Sequence, residues 1–297
     1  MSEVSVAPIP ILAGLSSIID RYDGFLLDLW GVLHDGVRPY PAVVETLQRL
    51  EAANKRCVVL SNGPRRAAVV TRRTTEIGIG PTLYHGLHSS GEATWQALRT
   101  RSDPAHAALG RRPFLIVPPR DRDILDGLDL EPTKDLGDAG FLLVTGLADA
   151  AETLATYEPV LAAASRLGRP MICANPDLEV VRGGVRELCA GALAARYEAL
   201  GGSVLYHGKP HPPVYSTCLA MLDGIERSRI LAVGDSLRTD IAGAGNAGID
   251  SLLITGGIHA EELADAAGRH PDPAKLSAAC ARAGQRPTFA APSFAWS

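Results

Sequence analysis

Residues 25–33 read Phe25-Leu26-Leu27-Asp28-Leu29-Trp30-Gly31-Val32-Leu33. Three apolar side chains run directly into a carboxylate, and a glycine follows three residues later. Short, uninterrupted apolar runs are what a parallel sheet covered on both faces demands of its strands. The pattern recurs over residues 57–60, 114–117, 141–144, 171–174, 230–233 and 252–254, most of them bounded by Gly, Pro, Asp or Asn. Helix-like spacing fills the intervals, over residues 42–54, 67–77, 152–167 and 185–200. The alternation predicts an α/β fold, a doubly wound parallel sheet with right-handed crossovers. Residues 102–113, rich in Pro, Gly and Arg, read as a surface loop. The stretch from Arg286 onward shows no pattern and reads as a tail that packs loosely or not at all.

A chain of 297 residues has room for one large domain or two modest ones. Its net charge of −4 and its 5% of aromatic residues argue against a nucleic-acid or anionic-membrane partner. The five cysteines, Cys57, Cys173, Cys189, Cys218 and Cys280, are odd in number and form no C-x-x-C. They read as reduced thiols rather than a disulfide framework or a zinc site. Residues 2–20 carry Glu3, Pro8 and Pro10 and lack the cationic start and apolar run of a leader. No stretch approaches the ~20 apolar residues of a spanning helix. The expectation is a soluble, cytoplasmic protein.

In an open parallel sheet, ligands bind beyond the carboxyl ends of the strands, so the residues found there carry the chemistry. Asp28 follows the first run, Ser61-Asn62-Gly63 the second, and Gly234-Asp235-Ser236 the run at 230–233, with Asp240 just beyond. Gly208-Lys209-Pro210 stands ahead of a predicted helix. Carboxylates with open water positions suit Mg²⁺. A lysine neutralises a phosphate oxygen as a point charge. A hydroxyl and loop N–H groups can cradle the remaining oxygens. A carboxylate can itself attack phosphorus. Each residue alone is more often a cap, a turn former or a surface charge. Their joint occurrence in this order is what points to phosphoryl transfer.

These segments resemble, in order, the four motifs of the haloacid dehalogenase superfamily: residues 25–33 the first, Val58-Val59-Leu60-Ser61-Asn62 the second, His207-Gly208-Lys209-Pro210 the third, and residues 233–241 the fourth. The long insert between the second and third resembles the type II cap of class IIA sugar-phosphatase-like members, with Asn175-Pro176-Asp177 and residues 197–202 familiar from that class. The resemblance implies that Asp28 is the nucleophile and a metal ligand. It implies further ligands in the backbone carbonyl of Trp30 and in Asp235, with Asp240 supporting the metal. Ser61 and Asn62 would bind the transferring phosphoryl group, and Lys209 would hold it against Asp28. The implied cofactor is Mg²⁺, and the implied substrate is a small phosphorylated molecule such as a sugar or polyol phosphate. Asn175, Asp177 and Arg182 are the candidate specificity residues. A homodimer is left open.

One departure matters. Phosphatases of this superfamily usually carry a second Asp two residues after the nucleophile, as the acid that protonates the leaving oxygen. Here that position is Trp30. General acid–base help is worth ~10²–10⁴ in rate. The readings left open are a slow enzyme suited to good leaving groups, an acid supplied by His34, Asp35 or a cap residue, and a binder without turnover.

Three other motifs carry less. Gly243-Ala244-Gly245-Asn246-Ala247-Gly248 matches a dinucleotide fingerprint but falls inside a predicted helix rather than directly after a strand. Gly234-Asp235-Ser236-Leu237 spells an esterase block but lacks a later D-x-x-H. His207 and His211 are four apart, but Pro210 and Pro212 argue against the helix that would align them on zinc. The expected organisation is a core from residues 1–85 and 205–297, with an inserted α/β cap over 86–204 that closes on the substrate.

Overall fold

In the computed structural model, residues 8–149, 151–268 and 270–296 are described. The start of the stretch read above for a leader, residues 1–7, lies outside them. The chain divides into two compact units. One takes the chain up to Val59, then Ile77–Gly86 and everything from Cys218 on; the other takes Leu60–Glu76 and Leu87–Thr217.

The first unit is built on strands β1 (Gly24–Leu27), β2 (Arg56–Ser61), β3 (Gly86–Ser89), and the later β10 (Ile230–Gly234), β11 (Asp250–Ile254) and β12 (Phe289–Ala291), in the sheet order β12-β11-β10-β1-β2-β3. The division into units falls within β2 and β3, after Val59 and Gly86. β1 pairs in parallel with both β2 and β10, in register Leu27 with Val59 and with Val233. All four residues of β1 are buried. That accounts for its uninterrupted apolar run, since both faces are covered. The helix Val43–Ala52 turns Val43, Leu47 and Leu50 inward at helical spacing.

The second unit holds a parallel sheet of β4 (Pro113–Ile116), β5 (Phe141–Val144), β6 (Met171–Cys173) and β9 (Val204–Tyr206), in that spatial order. Its two faces can be read off β5. Leu142 and Val144 pack with Tyr157, Leu161, Leu193 and Tyr197 of the helices Leu154–Arg166 and Ala190–Ala199. Phe141 and Leu143 face the other way, into a cluster with Leu98, Leu109 and Ile124. Alternate residues of one strand thus feed two cores. The fold is α/β, with a doubly wound parallel core and an inserted α/β domain. Among the described residues no helix is long and apolar enough to cross a membrane. All five cysteines are buried, and none is in a disulfide.

Three local expectations fail. Residues 185–200 are not one helix. β7 (Glu179–Arg182) and β8 (Val185–Leu188) form an antiparallel hairpin before the helix Ala190–Ala199 begins. Gly183 and Gly184 both have positive φ, the geometry a two-residue hairpin turn needs. The loop at 102–113 contains the short helix Pro104–Ala107, capped by the Asp103 carboxylate. The tail is not loose. β12 completes the edge of the sheet, Ala290 bonds through its N–H to Pro10 and through its C=O to Leu12, and Phe294 is 1% exposed. Pairing with a strand and with the chain's beginning is invisible to a local pattern. Phe294→Ala is expected to lower the unfolding free energy by about 3–5 kcal/mol, read by chemical denaturation. A loosely packed tail would give less than about 0.5 kcal/mol.

Candidate active site

The strand order runs one way from β1 to β3 and the other way from β10 to β12. The reversal lies between β1 and β10, and at such a switch point the connections diverge and leave room beyond the strand ends. Asp28 is the first residue after β1, and Asp235 the first after β10. The N–H of Asp28 donates to Val233 at 2.9 Å, carrying the ladder one residue further. After Asp235 the chain enters a wide turn over Leu237–Ile241, in which the N–H of Ile241 reaches five residues back to Ser236 at 3.1 Å. Such π-type turns are frequent at functional sites. Here the turn returns Asp240 to the strand end, where its Oδ2 accepts the N–H of Ser236 at 3.1 Å.

The result is a cluster in which one carboxylate oxygen from each of Asp28, Asp235 and Asp240 lies within 4.8 Å of the others. The three residues are 8%, 7% and 4% exposed. Two unit charges at that spacing repel by about 3–4 kcal/mol at an effective dielectric constant of 20. Backbone dipoles offset part of this. Leu29 donates to Asp28 Oδ1, and Ile258 to Asp235 Oδ2, both at 2.7 Å. The donor set is all oxygen and all acidic, and it fits a hard divalent cation.

The sequence reading missed the residues that make room for these oxygens. A Cβ on Gly31 would stand 1.8 Å from Asp235 Oδ2, and one on Gly257 2.2 Å from it. Gly31 also has φ +76, a conformation that side-chain-bearing residues avoid. The overlooked signal was Gly256-Gly257 soon after an apolar run. Tyr40 was missed too. Its hydroxyl is held above its ordinary pKa by burial and by the negative charge of Asp235 and Asp35.

Trp30 packs on its own loop. Its ring stands edge-on to His34, with centroids 5.0 Å apart, and a Cβ on Gly36 would meet it at 2.2 Å. Asp35 accepts backbone N–H groups from Arg38 and Val37, which hold its carboxyl below the usual range despite some desolvation. His34 is buried, and its Nδ1 accepts the N–H of Gly36 at 2.9 Å, so a neutral ring carries its proton on Nε2.

The other candidates lie in the second unit. Ser61 and Lys209 are 1% and 2% exposed, and Ser61 Oγ accepts the N–H of Gly63 at 3.0 Å. Asn62 is bonded to both Lys209 and Asp177, and the Asn175 side chain to the backbone of Asp177. Arg182 is on the β7–β8 hairpin, paired with Glu187 at 3.2 Å. His207 is not aligned with His211 on a helix. Its Nε2 is 3.0 Å from His106 Nε2, and Asp103 Oδ2 is 2.6 Å from His106 Nδ1.

Residues 25–131 match the family described as haloacid dehalogenase-like hydrolase, and residues 206–294 the one described as HAD-hydrolase-like. A haloacid dehalogenase-like hydrolase from Brucella suis 1330 superposes with a TM-score of 0.82 at 33% identity, over 96% of this chain and 100% of that one. Human chronophin is 30% identical over 269 residues, 87% of this chain and 90% of its own length. The chain belongs to the haloacid dehalogenase-like hydrolases. Another relative, D-glycerol 3-phosphate phosphatase of Mycobacterium tuberculosis, is 28% identical over 256 residues, 82% of this chain and 66% of its own. Within the family the chain is a phosphatase.

Two expectations follow for this hydrolase. Gly257→Ala should push the Asp235 carboxylate aside and weaken Mg²⁺ binding at least about tenfold by calorimetry, a loss of about 1.4 kcal/mol. Gly245→Ala, whose Cβ meets nothing within 4 Å, should leave binding unchanged. The second concerns His207, whose pKa is pushed down to about 3 by burial and by His106. It stays neutral in the fold while the unfolded chain takes a proton near pH 6.5, so stability is lost as pH falls from there toward 3. One proton gives a slope of up to about 1.4 kcal/mol per pH unit, and His207→Gln should flatten the fall of stability between pH 7 and 4.

Proposed function

We propose that this phosphatase cleaves monoesters of small phosphorylated molecules by attack of the Asp28 carboxylate on phosphorus. The observation that carries the reading is the convergence of Asp28, Asp235 and Asp240 at the switch point of the sheet. Those carboxylates, with the backbone carbonyl of Trp30, would hold Mg²⁺. The ion would neutralise charge that otherwise keeps a phosphoryl group away from a carboxylate. Asp28 forms a bond to phosphorus as the bond to the ester oxygen breaks, giving an aspartyl phosphate. Water then attacks that phosphorus, releasing phosphate and restoring the carboxylate. Ser61 and Lys209 receive their roles from motif position. Ser61 donates to a phosphoryl oxygen, and Lys209 balances its charge. The insert over residues 86–204 would act as the cap that chooses the substrate.

The leaving oxygen needs a proton that Trp30 cannot give. Asp35, held ionised, has none to give at neutral pH. His34 could give one only as the imidazolium, which must first release the Gly36 N–H that its Nδ1 accepts. A weak acid favours esters whose leaving group needs little protonation. The relative named for D-glycerol 3-phosphate supports a polyol or sugar phosphate as the class to screen for the natural substrate.

The test uses 4-nitrophenyl phosphate. Turnover should require Mg²⁺, vanish with EDTA, and fall at least about 10³-fold in Asp28→Asn. Equal turnover in Asp28→Asn, or turnover indifferent to EDTA, would sink the reading.

A further inference from the structure

Asn62 stands one residue beyond β2 and is 3% exposed. Its Oδ1 accepts the N–H of Lys209 at 2.7 Å. Its Nδ2 donates to the C=O of Lys209 at 3.2 Å and to Asp177 Oδ1 at 2.9 Å. A carboxamide has two N–H hydrogens, and these contacts use both. The side chain therefore pairs with residue 209 as one peptide group pairs with another, gripping its N–H and its C=O together. The reversed amide would set oxygen against the Lys209 carbonyl and the Asp177 carboxylate, so the orientation is determined.

Asp177 is the outermost member of this chain of contacts, and it is itself fixed. Its N–H donates to Asn175 Oδ1 at 3.0 Å, and its C=O accepts the N–H of Gly191 at 3.1 Å. The turn before Lys209 is packed against the same residues. Gly208 has φ +125, and a Cβ there would lie 2.5 Å from Asn62 Oδ1 and 2.7 Å from Pro176 Cδ. Only glycine permits that approach.

We propose that Asp177 is a positioning residue for Lys209, acting through Asn62, and not a group that reads the substrate. Its carboxylate gives Asn62 a charge-assisted hydrogen bond, stronger than a neutral one, and that bond fixes the amide that grips the Lys209 backbone. Asn62, with both N–H hydrogens engaged, is part of the same clamp. The inference rests on the phosphatase reading of Lys209. A side chain misplaced by about 1 Å can cost ~10²-fold in rate, so a backbone clamp two contacts away matters to the chemistry.

The test compares Asp177→Ala, Asp177→Asn and Lys209→Met in the whole chain, on 4-nitrophenyl phosphate and O-phosphotyrosine. Asp177→Ala should lower kcat about 10–100-fold with little change in KM, by the same factor on both esters. Asp177→Asn keeps an acceptor oxygen and should recover to within about fivefold of the parent. In an Asn62→Ala background, Asp177→Ala should cost no further activity. Parent-like kcat in Asp177→Ala, or a loss that differs between the two esters, overturns the positioning role while leaving the phosphatase reading intact. Activity retained by Lys209→Met overturns instead the role given to Lys209, on which the inference rests. Should Asp177→Ala fail to fold, Asp177→Ser, too short to reach Asn62, takes its place under the same criteria.

Discussion

Three buried carboxylates held within reach of one another are the constraint on which the first unit depends. Left alone, Asp28, Asp235 and Asp240 repel, and burial removes the water that would screen them. No packing advantage explains such an arrangement, because apolar residues would fill the same space at less cost. A divalent cation, as proposed above, would offset that repulsion. The backbone around the cluster is shaped accordingly. N–H groups of Leu29, Ser236 and Ile258 point at its oxygens, and glycines at 31 and 257 leave the space those oxygens need.

The sheet explains how three residues so far apart in the chain come together. Parallel strands end side by side, and the order reverses between β1 and β10. Asp28 and Asp235 occupy the first position beyond these two neighbouring strands, and the wide turn after Ser236 adds Asp240. The spacing of five between Asp235 and Asp240 has meaning only through that turn.

A second, separately held set surrounds Lys209. Here the controlling interactions are directional: an amide gripping a peptide group, a glycine admitting close approach, and a carboxylate orienting the amide. A lysine on a four-carbon stem is flexible, so its usefulness as a point charge depends on how firmly its backbone is held. Trp30, where the family usually has an acid, shows the opposite choice. Its ring is taken up by packing against His34 and Gly36.

Much was legible in the order of residues alone. Apolar runs ending in Asp28, Ser61 and Asp235 announced parallel strands and the residues beyond them, because a doubly covered strand leaves a continuous local trace. The α/β class and the family followed from those traces and the four ordered motifs. The β7–β8 hairpin, the pairing of β12 and the burial of Phe294 were not legible, since each depends on a partner distant in sequence or on φ values at two glycines. Gly257, Tyr40 and the engagement of Asn62 with Lys209 and Asp177 were likewise decided only by the tertiary structure. The sequence names the groups that can do chemistry, but distance and direction between them arise only when strands pair and turns close.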